Sequence, residues 1–217
     1  MNFQEAIRSA ERYVQQLQGN DYSGHGWDHI WRVRNLAIKI AEVEGGDKFI
    51  VEMAALLHDV GDPKLHHGDE SKLIQLPMDF CRKIELDVTL TARILGVIQE
   101  VSFKGAKVRD ENTTIESKIV QDADRLDAIG AIGIARCFYF GGHHGRELYN
   151  PDVLPQTHAS YDSYRKSRGT TINHFHEKLL LLKDRMHTYT ARVLAEERHL
   201  FVQKYLSQFD REWYLKD

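Results

Sequence analysis

Apolar residues recur at intervals of three or four along most of this 217-residue chain, and this spacing limits the possible folds more than any other feature. It places apolar side chains along one face of an α-helix, whereas a half-buried strand would show strict alternation. Glycine pairs end several of the periodic runs, as at Gly45-Gly46 and Gly141-Gly142. The sequence therefore predicts an all-α fold, a helical bundle that forms one domain over residues 1–217.

The periodic runs predict helices over about residues 3–17, 28–44, 47–61, 72–83, 87–101, 114–140, 172–185 and 187–215. The run over 114–140 is apolar on two faces, which is typical of a central helix. Gly130 and Gly133 are costly inside a helix, so we expect a neighbouring backbone or a ligand to approach closely there. Residues 141–171 form the longest predicted irregular stretch, and such loops are often lids or binding loops.

Charge and cysteine content argue against several classes of protein. The 29 basic and 32 acidic residues give a formal net charge of −3, which provides no field to attract a nucleic-acid polymer or an anionic membrane. No stretch approaches the roughly 18 consecutive apolar residues of a membrane span, and the N-terminus lacks a signal-peptide pattern. Cys81 and Cys137 show no disulfide or CxxC spacing. We therefore expect a cytoplasmic protein that binds neither nucleic-acid polymers nor membranes.

Twelve histidines are unusual for this length, and histidine is the commonest metal ligand. His58 and Asp59 end an apolar helix and continue its core-facing stripe, so they are expected to be buried or to line a cleft. A buried polar pair needs compensation, which one divalent cation would provide to both side chains. The alternative is a solvated pair at a helix C-terminus, a place that favours histidine.

His29, at the start of the second helix, is a further candidate ligand. The Gly45-Gly46 link is short enough to force antiparallel packing of the second and third helices, which brings His29 close to His58.

Residues 122–127 place three aspartates within six positions of an otherwise apolar helix. Charged side chains are rarely fully buried without a partner, and a cation would be a better partner than Arg125. Spacing alone does not choose between Asp122 and Asp124, because both lie on inward faces.

Taken in order, these motifs resemble the HD-domain phosphohydrolases, whose pattern is a histidine, a His-Asp pair and a distant aspartate. The matching stretches are 28–33, 55–62 and 122–127, and the resemblance extends through motifs over about residues 25–135. It implies a bundle of the HD-domain type. The metal ligands that it implies are His29, His58, Asp59 and Asp124.

The resemblance also implies a metal-dependent hydrolase of phosphoester or phosphoanhydride bonds. Mixed nitrogen and oxygen ligands suit a divalent ion, with Mn²⁺ as the first expectation and Mg²⁺, Co²⁺, Ni²⁺, Fe²⁺ or Zn²⁺ as alternatives. Two-metal members carry additional histidines between the His-Asp pair and the last aspartate. Here that interval holds only His66 and His67, so we expect one metal ion.

Asp62 and Arg125 are the predicted catalytic residues. Asp62 lies four residues after His58, on the same side if the helical turn persists, and related guanosine tetraphosphate hydrolases have an acidic residue there. It would orient the attacking water, while Arg125 would stabilise charge on the phosphate. The predicted substrate-binding residues are His25, Lys64, Lys104 and Arg165. Taken alone, a lysine or arginine such as Lys64, Lys104 or Arg165 is more often an ordinary surface charge. The alternative for His25 is that it supports the metal ligands or stabilises its glycine-rich turn.

The small bacterial HD hydrolases that the chain resembles imply a small-molecule nucleotide substrate, first a nucleoside or deoxynucleoside triphosphate. One alternative is an alarmone (guanosine tetraphosphate) hydrolase or a cyclic nucleotide hydrolase, although the missing histidines disfavour two-metal phosphodiesterases. Another is a non-catalytic HD-fold module that binds metal or nucleotide to regulate a partner, which the intact ligand set disfavours. The sequence leaves open whether the chain forms a homodimer.

Overall fold

The computed structural model describes residues 2–19, 24–63, 65–101, 112–156 and 169–216. Helices supply the regular structure of these ranges, within which no β-strand occurs, so the all-α prediction is confirmed. The helices are α1 (Phe3–Gln18), α2 (Trp27–Glu44), α3 (Lys48–Leu57), α4 (Lys72–Lys83), α5 (Val88–Val101), α6 (Ile115–Asp127), α7 (Gly130–His143), α8 (Thr171–Glu177), the 3₁₀ helices Leu179–Leu181 and Lys183–Arg185, and α9 (Tyr189–Trp213).

The chain separates into two compact units. The first contains α1 to α5 together with α6 as far as Asp124, and the second contains the rest of α6, from Arg125, and the later helices. A single domain over residues 1–217 stays a prediction. None of the described helices is long and apolar enough to cross a membrane.

A two-glycine link joins α2 to α3 in the first unit. Gly45 and Gly46 have φ angles of 86° and 91°, a region that side chains with a Cβ rarely adopt. The next residue, Asp47, starts α3 because its carboxylate accepts hydrogen bonds from the amides of Phe49 and Ile50. The predicted packing of α2 on α3 is present.

The same link is attached to α5 and α6 by a small polar network. The Asp47 amide donates to Glu116 Oε1 at 2.9 Å, and Arg93 Nη1 lies 2.8 Å from Asp47 Oδ2. Arg93 Nη2 also lies 3.4 Å from Glu116 Oε1. Partly exposed ion pairs add little stability each, but this network fixes where α6 begins relative to α2 and α3.

The prediction of one helix over 114–140 is wrong. The helix α6 ends at Asp127 and α7 begins at Gly130, whose φ of 78° interrupts the helical path. Apolar spacing continues across this break, which is why periodicity did not detect it. A Cβ on Gly133 would collide with the backbone of Ala128, so the expected close approach is confirmed at Gly133, whereas Gly130 serves the turn.

The helix α3 ends earlier than expected, at Leu57 instead of near Gly61. The chain continues through tighter turns, in which the Asp62 amide donates to the carbonyl of Asp59, three residues back, at 3.1 Å. A Cβ on Gly61 would collide with the backbone of Lys72, at the start of α4. His58 and Asp59 therefore lie beyond the last regular turn of α3.

Two further boundaries differ from the predictions. The helix α7 continues to His143, past the glycine pair that was expected to end it. The predicted helix over 172–185 is α8 followed by two short 3₁₀ helices. The predicted final helix corresponds to α9.

Replacing Gly133 by alanine should destabilise the protein by roughly 1–3 kcal/mol, because the added methyl group meets a fixed backbone carbonyl. Gly96→Ala is the control, since Gly96 also lies inside a helix but has open space around it. That change should stabilise by about 0.5–1 kcal/mol. Urea unfolding of both variants measures the difference, and equal effects would contradict the packing described for α7.

Candidate metal centre

The start of α2 and the end of α3 bring two imidazoles together. The rings of His29 and His58 have centroids 5.5 Å apart, edge to face, and the two residues are only 1% and 5% exposed. This is the placement predicted from the short link between the two helices. Buried imidazoles this close require polar partners of their own.

Carboxylates from Asp59 and Asp124 complete the group. His29 Nε2 lies 3.4 Å from Asp59 Oδ2 and 3.5 Å from Asp124 Oδ1, and His58 Nε2 lies 3.5 Å from Asp59 Oδ1. Two ligands of one ion, each bound at about 2.1 Å with angles between 90° and tetrahedral, have donor atoms roughly 3.0–3.4 Å apart. The observed spacings of 3.4 and 3.5 Å lie at or just above the upper end of that range.

His58 presents a free ring nitrogen to this group. Its Nδ1 lies 2.8 Å from the carbonyl of Ala55 and must carry the proton to donate to it. The other nitrogen, Nε2, is buried with no hydrogen-bond partner among the described residues. An orphaned ring nitrogen beside two carboxylates is the arrangement expected of a metal-binding histidine whose second nitrogen is fixed by a carbonyl.

Asp59 is an ionised carboxylate in a buried position. Burial alone would raise its pKa, but the charge of His58, and the charge and hydrogen bond of His25, hold its pKa well below the usual range. Its Oδ2 lies 2.7 Å from His25 Nδ1, and its backbone carbonyl accepts from Gln18 Nε2 at 3.1 Å. Gln18 was not anticipated, because it belongs to no motif.

The three aspartates of the 122–127 segment differ in burial and in their partners. Asp122 is completely buried, whereas the side chain of Asp124 is 35% exposed and faces His29. Asp127 is buried and pairs with Arg136 at 2.9 Å, so its charge is compensated by an arginine and needs no cation. Asp124 forms a group with His29 and His58 that could hold a metal ion, which agrees with the choice that the family pattern implied.

The predicted catalytic residues have different environments. Asp62 is partly exposed on the turn that follows Asp59, where tighter turns place residues three apart on one side. The premise that a regular helix carries it past His58 is wrong. Arg125 is 4% exposed and donates from Nη1 to the carbonyl of Arg185 at 2.5 Å. The predicted substrate-binding residues outside the described part of the chain are Lys64, Lys104 and Arg165.

Comparison with known proteins shows the family to which the chain belongs. The family model described as HD domain matches residues 26–129. The chain belongs to the HD-domain family. A curated relative, the Bacillus subtilis protein YpgQ, is 40% identical over 210 residues, covering 95% of this chain and 94% of its own length.

Several solved structures of similar proteins share the fold of this chain. A Lactobacillus plantarum protein matches with a TM-score of 0.86 and 37% identity, over 99% of this chain and 100% of its own. An HD-superfamily hydrolase from Bacillus thuringiensis matches with a TM-score of 0.74 and 39% identity, over 98% and 99% of the two chains. YpgQ in complex with ADP matches with a TM-score of 0.74 and 38% identity, over 95% and 97%. The chain therefore has the fold of an HD-superfamily hydrolase.

A divalent cation held by these donors should stabilise the folded protein by about 2.7 kcal/mol at 100 times its Kd. Thermal unfolding with and without Mn²⁺ measures the gain, and Asp124→Asn should abolish it. Asp210→Asn removes an exposed carboxylate of α9 and should leave the gain intact. Equal gains in the two variants would rule out Asp124 as a ligand.

From the lowered pKa of Asp59 we predict how the stability of the metal-free protein depends on pH. A carboxylate whose folded pKa lies below its unfolded value near 3.8 contributes stability above about pH 4, which is lost as the pH falls through the lowered pKa. The stability difference between wild type and Asp59→Asn should therefore shrink as the pH falls below about 4. Urea unfolding from about pH 5 downward tests it, and a difference that does not shrink below about pH 4 would contradict the low pKa.

Proposed function

We propose that this HD-family protein is a metal-dependent phosphohydrolase that hydrolyses nucleotides, most specifically nucleoside or deoxynucleoside triphosphates. The observation that carries the proposal is the buried, unpartnered Nε2 of His58 beside the ionised carboxylate of Asp59. A protein has little reason to keep such a pair in its interior unless a cation compensates it. The residues that would hold the cation are His29, His58, Asp59 and Asp124.

Two nitrogen and two oxygen donors suit a borderline or moderately hard divalent ion, and Mn²⁺ is the first choice. Mg²⁺, Co²⁺, Ni²⁺, Fe²⁺ and Zn²⁺ remain alternatives. When bound, such an ion polarises a phosphoryl oxygen and lowers the pKa of water, which is the chemistry a phosphohydrolase needs. We propose a single ion, because the interval between Asp59 and Asp124 supplies no histidines beyond His66 and His67.

Within the proposal, Asp62 holds and orients the attacking water and accepts its proton. Support comes from its position, three residues after Asp59 on the same tight turn and partly exposed to solvent. A carboxylate with solvent access beside buried ligands can exchange the proton that it takes up.

Arg125, Lys64, Lys104 and Arg165 are the cations that we propose to stabilise charge on the substrate. For Arg125 the contacts indicate a structural contribution as well, since its guanidinium donates to the Arg185 carbonyl and lies 3.3 Å from His187 Nε2. The test of Arg125 must therefore separate folding from catalysis, which Arg125→Lys permits by keeping the charge without the planar donor group.

A nucleotide is the proposed substrate because the related YpgQ has been crystallised in complex with ADP. The net charge of −3 favours a small phosphorylated molecule over a long polyanion, because a nucleotide can be recognised by a few local cations. Location in the cytoplasm is part of the same proposal, since nucleoside triphosphates are abundant there.

The direct test is release of phosphate or pyrophosphate from a panel of nucleotides, with Mn²⁺, Co²⁺, Ni²⁺ or Mg²⁺ present. The panel includes ribo- and deoxynucleoside triphosphates, guanosine tetraphosphate and cyclic nucleotides. The wild type should turn over a triphosphate, and His58→Ala should lower kcat/KM by more than about 100-fold, because a metal ligand is lost. The control is His176→Ala, which removes an exposed histidine from α8 and should leave the rate unchanged.

Turnover that survives His58→Ala would overturn the catalytic role of this site. Selective turnover of guanosine tetraphosphate or of a cyclic nucleotide would move the assignment to those substrates. Metal binding without turnover of any nucleotide would instead indicate a regulatory module.

A further inference from the structure

We propose that His25 is a positioning residue for Asp59: it donates a hydrogen bond from Nδ1 to Asp59 Oδ2 and thereby fixes the carboxylate in the orientation that meets the metal ion. This inference rests on the proposed metal centre. In this inference His25 supports a metal ligand and does not contact the substrate, as the sequence had suggested that it would.

The distances separate a hydrogen-bonding role from a ligand role. Two overlapping groups of side chains could hold an ion: one is His25, His29 and Asp59, and the other is His29, His58 and Asp124. Ligand atoms on one ion stand roughly 3.0–3.4 Å apart. The contacts of His29 with Asp124 and Asp59, at 3.5 and 3.4 Å, and of His58 with Asp59, at 3.5 Å, lie at or just above the upper end of that range. The 2.7 Å between His25 Nδ1 and Asp59 Oδ2 is shorter than that and is the length of a charge-assisted hydrogen bond.

The proton in this bond belongs to His25. A carboxylate only accepts hydrogen bonds, so at 2.7 Å the imidazole Nδ1 is the donor. A nitrogen that carries a proton has no lone pair to offer to a metal ion, so Nδ1 is not itself a ligand. Nδ1 acts on the ion through Asp59.

Asp59 needs such support because no regular helix holds it. It lies past the end of α3, on the tight turns that follow Leu57. Besides the proposed ligand His29, two side chains from outside α3 bind it: Gln18, at the end of α1, donates to its backbone carbonyl at 3.1 Å, and His25 donates to its carboxylate. Main chain and side chain are thus held independently.

The position of His25 is itself set by the local backbone. It lies between Gly24, whose φ is 98°, and Gly26, which caps the start of α2 without a side-chain hydrogen bond. The first turn of α2 closes on Gly26, since the His29 amide donates to its carbonyl at 3.0 Å. His25 and the ligand His29 are therefore attached to the same helix start, and both lie within reach of Asp59 Oδ2.

The test compares three substitutions of His25 by their Kd for Mn²⁺, measured by calorimetry on the full chain. An asparagine amide occupies nearly the position of Nδ1 and can still donate to Asp59, whereas a glutamine amide reaches the position of Nε2. His25→Ala should weaken Mn²⁺ binding by about 10–100-fold, the usual loss for a residue that orients a ligand. His25→Asn should bind within a few-fold of wild type, and His25→Gln should resemble the alanine variant.

Unfolding of the metal-free variants controls for a general loss of structure, which should be similar for asparagine and glutamine. Wild-type affinity in His25→Ala, or an asparagine variant as weak as the alanine variant, would overturn the inference. Pulsed electron paramagnetic resonance of bound Mn²⁺ adds an independent count of coordinated imidazoles. Two should be found in wild type and in His25→Asn, and three in wild type would make His25 a ligand.

Failure of this inference is distinguishable from failure of the proposed function. If wild type binds no Mn²⁺, the metal centre itself is wrong and His25 has nothing to position. If wild type binds Mn²⁺ and His25→Ala binds it equally well, only the role of His25 fails. If the three variants show the predicted order of Mn²⁺ affinities but wild type hydrolyses no nucleotide, the role of His25 is supported. Only the proposed phosphohydrolase activity is then wrong.

Discussion

The negative charge of Asp59, buried among the imidazoles of His25, His29 and His58, is the interaction on which the site depends. Its pKa stays low although burial opposes ionisation, because the neighbouring histidines favour the charged form. A buried charge of this kind must be compensated. Each neighbouring side chain therefore either donates a hydrogen bond to Asp59 or binds the same cation as Asp59. The arrangement fits a hydrolase that uses a metal ion better than a stability device, since apolar side chains would fill the same space at lower cost.

Three parts of the first unit bring these groups together. The glycine link between α2 and α3 folds the start of one helix onto the end of the other. The contacts of Asp47 with Glu116 and Arg93 fix the start of α6, from which Asp124 reaches His29. The tight turns after Leu57 carry Asp59 and Asp62 close together. Backbone geometry therefore brings together the four side chains that we propose as metal ligands.

Much of this could be predicted from the sequence, because the decisive signals are local. The Gly45-Gly46 link indicated that His29 and His58 meet, and helical spacing indicated nearly every helix. The break between α6 and α7 could not be predicted, since the apolar pattern runs through it and only the positive φ of Gly130 reveals it. Contacts between residues distant in sequence were also missed, and the hydrogen bond from Gln18 to Asp59 is an example.

The roles of the histidines and aspartates show the same difference between what local sequence predicts and what long-range contacts decide. Family motifs identified Asp124 where periodicity left Asp122 open, and the contact of Asp124 with His29 agrees with that choice. The burial of Arg125 against the Arg185 carbonyl had no signal in the sequence, because it depends on chain 60 residues away. Motifs thus indicate which side chains do chemistry, whereas their partners depend on long-range packing.

Anomalous diffraction from a crystal grown with Mn²⁺ tests the central claim most directly. We predict one strong peak, about 2.0–2.3 Å from His29 Nε2, His58 Nε2 and carboxylate oxygens of Asp59 and Asp124, with His25 bonded to Asp59 and not to the ion. A peak that lacks Asp124, or no peak among these four side chains, would contradict the account.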